Sequence, residues 1–320
     1  MVKKITDVSF EILSKCPNNC IHCSSCSSME RTDIFHLEEI KRIISELKEF
    51  KVERICLSGG EPFLHPNLVD IVEYISAQGI ICDIYSAGIF KDELKISSLS
   101  RDLLKILKGK GLHRIMFNLQ ALDENIYNTI MGTKGQQRYV LESIDNAIAE
   151  NIEIELHVVP MKLNYGEIDK LLEYAQIHRI KQISFLRLVK HGRALNNDIG
   201  LNEEKEFELS TYLKNMMPNY KNIRIGIPLT NGKINCACHA IKNKLYIKYD
   251  GCMYGCEAFK YINLGVEVPN VRKSKIIDIV NESEYFRKSE QLLSEYVCGI
   301  SNCPVQNYLR NGGTKDVTAE

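Results

Sequence analysis

Six strand-like runs separated by amphipathic helical runs constrain this 320-residue chain more than any other feature. Runs rich in β-branched and aromatic residues fall at 8–13, 52–57, 80–85, 114–119, 152–159 and 182–188. After the first, Leu37, Ile40, Ile43, Ile44, Leu47 and Phe50 recur at helical spacing, and Leu68, Ile71, Val72 and Ile75 repeat the pattern after the second. Both helices are read as core-facing. Further helical runs lie at 103–107, 140–148 and 168–175. Strands that alternate with helices imply a parallel sheet. Six β/α units fall short of the eight that close a TIM barrel.

Cys16, Cys20 and Cys23 stand just after the first strand-like run, with three and then two residues between them. Three thiolates on one short loop can hold three irons of a [4Fe–4S] cube and leave the fourth iron without a protein ligand. A zinc knuckle is the alternative, although zinc sites usually pair CxxC units into four ligands. The spacing resembles the signature of radical S-adenosylmethionine (SAM) enzymes. Ser58-Gly59-Gly60-Glu61-Pro62, after the second strand, looks like that family's second motif. The resemblance implies an α/β fold, a partial (β/α)6 TIM barrel with its reactive groups at the carboxyl ends of the strands. It also implies that SAM chelates the open iron while Gly59, Gly60, Glu61 and Pro62 receive its methionyl amine.

Other strand ends are expected to complete the SAM pocket. Ser86, in Tyr85-Ser86-Ala87-Gly88, stands where relatives carry a Thr-Asn-Gly-like turn, and Asn118, in Phe117-Asn118-Leu119-Gln120, where they carry a Ser-Leu-Asp pattern. Ser86 is read as facing the SAM methionine or ribose and Asn118 as bonding the ribose hydroxyls; the alternative is that both only cap strand ends. Arg187 opens a stretch, Arg187 to Ala194, resembling an Arg…Gly-Arg-Gly/Ala segment of relatives with a C-terminal cluster domain. Its guanidinium would orient SAM or an acidic substrate group, or else hold the last strand to the next domain. His157, on the fifth strand, is either a hydrogen-bonded core residue or a substrate contact.

The expected organisation is a barrel over 1–195, a linking helix (203–216) and strand (223–228) within 196–230, a cysteine-rich unit over 231–310, and a polar tail over 311–320. Cys238, then Gly251, then Cys256 resembles the first half of the SPASM domain, the auxiliary-cluster extension of radical SAM enzymes. A strand at 244–249 and a turn at Asp250-Gly251 would bring the two cysteines together, with a helix at 276–286 before Cys298 and Cys303. The chain resembles the shortened, twitch version, with Cys238, Cys256, Cys298 and Cys303 holding one closed auxiliary [4Fe–4S] cluster. Structural zinc is the alternative, and Cys236 competes with Cys238. Cys56 and Cys82 fall inside strands and are read as small hydrophobes. Cys252 and Cys26 are spare thiols near the expected radical, and either could donate a hydrogen atom.

The chemistry implied is reductive cleavage of SAM to a 5′-deoxyadenosyl radical that takes a substrate hydrogen, with electrons from a flavodoxin- or ferredoxin-type donor. Relatives with these domains often modify ribosomally made peptides by thioether or carbon cross-linking or by epimerisation. The cluster motif begins at Cys16, so a separate peptide-recognition protein, or a peptide bound directly in the barrel, is expected. A small-molecule dehydrogenase or cofactor or antibiotic biosynthesis enzyme is the alternative. An iron–sulfur electron carrier or metal-binding scaffold is a third reading, against which Gly59–Pro62 argues. With 41 basic and 41 acidic residues, no long-range field favours nucleic acid. No apolar run reaches about 18 residues, so no membrane span is expected. Twelve cysteines without a secretory signal suggest metal ligation in the cytoplasm.

Overall fold

The alternation of short β-rich runs with amphipathic helices produces one nine-stranded, mostly parallel sheet, seen in a computed structural model that describes residues 4–91, 95–195, 197–226, 238–296 and 303–315. Its strands are β1 (Asp7–Leu13), β2 (Arg54–Gly59), β3 (Ile81–Ser86), β6 (Leu112–Asn118), β7 (Glu153–Val158), β8 (Gln182–Phe185), β9 (Ile223–Ile225), β10 (Lys244–Ile247) and β11 (Met253–Tyr254). A separate two-stranded ribbon pairs β4 (Phe90–Lys91) with β5 (Ile96–Ser97). The order is β11-β10-β1-β2-β3-β6-β7-β8-β9, with β11 alone antiparallel to its neighbour. The six strands read from the sequence form its centre. The linking strand β9 pairs with β8, and β10 pairs with β1, so the chain beyond the sixth unit extends both edges of the sheet.

Helices α1 (Leu37–Lys48), α2 (Leu68–Ala77), α3 (Arg101–Gly109), α4 (Glu124–Met131), α5 (Gln137–Ala149) and α6 (Ile168–Ile177) are the crossovers, and α7 (Glu203–Met216) leads to β9. Register partners in a parallel sheet share a face, and one face is aliphatic: Ile55 beside Cys82, Leu57 beside Ile84, Ile115 beside Ile154 and Leu156 beside Ile183. All eight are at most 3% exposed and form one core with the helical residues Ile40, Ile43, Ile44 and Leu47 and their equivalents. Each such side chain contributes roughly 1.5–3 kcal/mol on burial. Cys82 thus behaves as a small hydrophobe.

The opposite face, which lines the bore, is polar. Three register rows cross it: Cys56–Asp83–Arg114, Tyr85–Met116–Glu155–Gln182, and Asn118–His157–Ser184–Arg224. A packed TIM barrel fills this space with branched aliphatics; here charge and hydroxyls fill it. Cys56, expected as a buried hydrophobe, lies on this polar side.

The C-terminal unit continues through α8 (Ile276–Glu282), α9 (Glu284–Glu295) and α10 (Pro304–Arg310). The single helix expected over 276–286 is broken at Ser283, whose extended backbone (ψ 130°) ends α8 and starts α9. Among the described residues no helix is long and apolar enough to cross a membrane.

Candidate functional site

The loop after β1 carries Cys16, Cys20 and Cys23 at the carboxyl end of the sheet, and three neighbouring segments fix its path. From β2, Gly60 N donates to Leu13 O (2.7 Å) and Glu61 N to Lys15 O (2.8 Å). The glycines are required by that contact: Gly59 sits at φ +128°, and a Cβ on Gly60 would lie 1.9 Å from Lys15 O. From α4, the carbonyls of Met131 and Ile130 accept from Asn19 N and Ile21 N (3.1 and 2.9 Å). Gly132, the left-handed cap of α4, would push a Cβ to 2.3 Å from Asn19 O. After β8, Arg193 donates from Nε to Cys20 O (2.8 Å) and from Nη2 to Ser27 O (2.9 Å).

The three thiols are close enough to sense one another. Cys16 and Cys20 are buried, at 8% and 7% exposure, and Cys23 is half-buried. Burial pushes the Cys16 thiol well up, helped by Cys20 and Glu61, and lifts Cys20 to about 12. Neither would ionise alone at neutral pH, whereas iron takes each as thiolate and repays the desolvation. The Asn18 amide beside Cys20 favours its thiolate. Three soft donors on one loop, two of them buried, fit an iron–sulfur cube. Among the described residues no group of three or more Cys, His, Asp or Glu is arranged to hold a single metal ion.

The second motif closes onto the third strand end. Glu61 is fully buried; its carboxylate accepts from Ser86 Oγ (2.8 Å), Ala87 N (2.7 Å) and Phe63 N (3.2 Å). Burial raises it to about 7 against those three bonds, leaving it ready to ionise when a cation approaches. Pro62 opens a 3₁₀ turn, Pro62–Leu64. Ser86 Oγ also accepts from Gly88 N (2.8 Å), so this hydroxyl braces Glu61. Asn118 Oδ1 accepts from Gln120 Nε2, while Gln120 Oε1 accepts from Val159 N (2.9 Å), linking the ends of β6 and β7.

Below them, Asp83 bonds Arg54 and Arg114 (2.9 Å), and Glu155 takes Arg114 (2.8 Å), His157 Nε2 (2.9 Å), Gln182 (2.8 Å) and Ser184. Burial opposes ionisation of Glu155, but the bonds from His157 and Ser184 and the Arg114 charge hold it at about 2. His157 Nδ1 is buried without a partner. Tyr85 packs on its ring (centroids 5.0 Å) and feels both Cys20 and Cys23, which places this pair under the cluster loop.

Arg187 is engaged elsewhere: Nε and Nη2 clasp Glu206 of α7 (3.0 and 2.6 Å) and Nη1 bonds Gln306 of α10. It therefore ties the barrel end to the C-terminal unit. Cys238, Cys256 and Cys303 lie within electrostatic reach of one another. Burial raises all three thiols. Cys298, expected as the fourth ligand, and Cys236 lie outside the described residues. Cys252 sits in the β10–β11 turn beside Asp250, buried up to about 11, and Cys26 takes a left-handed backbone (φ 49°) on the cluster loop. The buried pair Lys260–Glu11 (3.5 Å) joins β1 to the C-terminal unit, and Lys260 reaches the cluster loop through Ser25 Oγ (3.0 Å).

Sequence reasoning passed over Arg193 and α4. Gly192-Arg193 was visible after the sixth strand, and α4 carries its own signals, an Asp123 cap accepting from Asn125 N and Ile126 N and Gly132 at its end.

A parallel α/β partial barrel that gathers three thiols, two of them buried, on one loop over a polar bore is an arrangement that fits an iron–sulfur cluster with one iron left open. Residues 10–175, just over half the chain, match the Radical SAM superfamily, and the chain belongs to it. It is thus a SAM-binding iron–sulfur enzyme. The GTP 3′,8-cyclase of Staphylococcus epidermidis is 25% identical over 211 residues, covering 63% of this chain and 58% of that protein. PqqA peptide cyclase of Granulibacter bethesdensis is 24% identical over 286 residues, 87% of this chain and 74% of its own. Streptococcus suis SuiB bound to its precursor peptide SuiA superposes with a TM-score of 0.76 at 16% identity, covering 99% of this chain and 76% of SuiB. At that identity the likeness speaks for the fold.

Proposed function

We propose that this enzyme modifies a ribosomally made peptide by oxidative cross-linking or epimerisation, in the cytoplasm, with a flavodoxin- or ferredoxin-type protein as electron donor and a separate recognition protein for the peptide. The similarity to PqqA peptide cyclase and the shared fold with peptide-bound SuiB support this reading. The observation that carries the choice of a peptide over a nucleotide is charge. Among the described strand residues of the bore, the four cations Arg54, Arg114, Arg224 and Lys244 face four carboxylates: Arg54 and Arg114 pair with Asp83, Arg114 also with Glu153, Arg114 and Arg224 with Glu155, and Lys244 with Glu257. That leaves these cations neutralised, where a triphosphate calls for surplus positive charge. The GTP 3′,8-cyclase similarity supports the alternative, a small-molecule substrate.

Cys16, Cys20 and Cys23 would hold the SAM-binding cluster, and Cys238, Cys256, Cys298 and Cys303 an auxiliary one. When bound, the first cluster supplies the electron that cleaves SAM to the 5′-deoxyadenosyl radical, which takes a hydrogen atom from the substrate. Glu61 sits beside Cys16 and would accept a hydrogen bond from the iron-bound SAM amine, whose polarised N–H groups favour its ionised form. Ser86 and Ala87 hold that carboxylate in place. Asn118 and Gln120 cross the β6 and β7 ends, where the ribose would rest. His157, its Nε2–H donating to Glu155, offers Nδ1 as an acceptor for a substrate proton.

The test is the mass of a short peptide encoded beside the gene after anaerobic reaction with reconstituted enzyme, SAM and reductant in heavy water. Loss of paired hydrogens identifies a cross-link or desaturation, and deuterium gain identifies an epimerase. An unchanged peptide with SAM still cleaved would replace this reading with the small-molecule one.

A further inference from the structure

The segment after β8 grips the cluster loop from above along its own backbone. His191 Nδ1 hydrogen-bonds Ser24 O (2.8 Å), Arg193 N donates to Cys23 O (3.0 Å), and Asn197 Nδ2 donates to Ile21 O (3.2 Å). Gly192 lies at φ +55°, and a Cβ there would come within 2.7 Å of Cys23 O and 2.8 Å of Ser24 O. Only a glycine allows the two backbones to lie this close. The Arg193 guanidinium then spans the loop, from Cys20 O to Ser27 O, so one planar fork fixes two carbonyls seven residues apart.

The same guanidinium lies 2.8 Å from the backbone carbonyl of Cys20, so its positive charge is fixed beside a residue proposed to ligate the cluster. Adding one electron to a cluster adds one negative charge to a buried, low-dielectric site. A fixed cation beside a ligand therefore stabilises the reduced form over the oxidised one.

We infer that Arg193 is a positioning residue for SAM cleavage that both holds the three-thiol loop in its cluster-binding shape and raises the electron affinity of the cluster. The inference rests on the SAM-binding cluster alone and is independent of which substrate the enzyme takes. Arg187, six residues earlier, points instead to Glu206 and Gln306, so the two arginines of this stretch serve different units.

The experiment compares reconstituted full-length wild type with R193Q and R193K in an anaerobic redox titration, following the electron paramagnetic resonance signal that shifts on adding SAM. Iron release to a chelator is timed in parallel. R193Q removes the charge, and the reduced-to-oxidised ratio at a fixed potential is expected to fall about tenfold, equivalent to about 59 mV for a one-electron couple. R193K keeps the charge and loses the fork, so its ratio should stay near wild type while iron leaves several-fold faster. A wild-type ratio in R193Q overturns the inference, because a merely structural clamp would change iron retention and leave the potential of the intact cluster alone. Should R193Q take up no iron, R193K decides: iron loss at the wild-type rate overturns the inference.

Discussion

Glu155→Gln tests the polar bore as a designed charge ladder. Glu155 is 2% exposed and has five partners on four strands, with Arg114 of β6, His157 of its own strand, Gln182 and Ser184 of β8 and Arg224 of β9 around it. These partners hold its carboxyl at about 2 against an ordinary 4.5. At about 1.36 kcal/mol per tenfold change in proton affinity, the ionised group contributes about 3 kcal/mol to folding at neutral pH. The folded value is depressed, so this stability is present above about pH 4.5 and is lost as pH falls toward 2, the unfolded chain taking the proton first. By pH 3 about 2 kcal/mol of it is gone. Glutamine does not titrate. Urea unfolding of cluster-free wild type and E155Q, followed by circular dichroism from pH 7 to pH 3, should show a gap of about 3 kcal/mol closing to about 1 kcal/mol. A gap that stays constant over that range would refute the ladder.

Gly60→Ala would drive a Cβ to 1.9 Å from Lys15 O; the barrel should fold by circular dichroism while bound iron drops by half or more, and full iron occupancy would contradict the contact. Replacing Cys256 or Cys303 by alanine should lower iron per chain by about four while sparing 5′-deoxyadenosine formation, and unchanged iron would rule out the auxiliary cluster. His157→Gln should leave SAM cleavage near wild type and slow product formation at least tenfold, with the pH dependence of the product step flattened.

The centre of the fold was legible because parallel strands and their crossover helices impose two distinct apolar periods on the chain. Six of the helices and all six central strands stand within a few residues of their expected places, and the Cys16–Cys23 loop follows β1 as the motif implied. What escaped were features set by contacts distant in sequence. Nothing local says that Lys244–Ile247 pairs with β1 across more than two hundred residues, or that β9 extends the other edge. Gly59 and Gly60 were recognised as room for a ligand; what sequence did not show is that they also make room for the backbone at the end of β1 and just beyond it. Arg187 and Arg193 look alike in sequence, and only the path of the cluster loop separates a domain tie from a grip on Cys20. The break at Ser283 and the short α4 and α10 were below the length at which helical periodicity speaks clearly.

The most direct test of the central claim is formation of 5′-deoxyadenosine from SAM by anaerobically reconstituted enzyme and a low-potential reductant, beside a variant with Cys16, Cys20 and Cys23 all replaced by alanine. The structure predicts cleavage by the wild type and none above background by the variant, with about four fewer irons per chain. Cleavage retained by the variant would contradict the assignment of those three thiols.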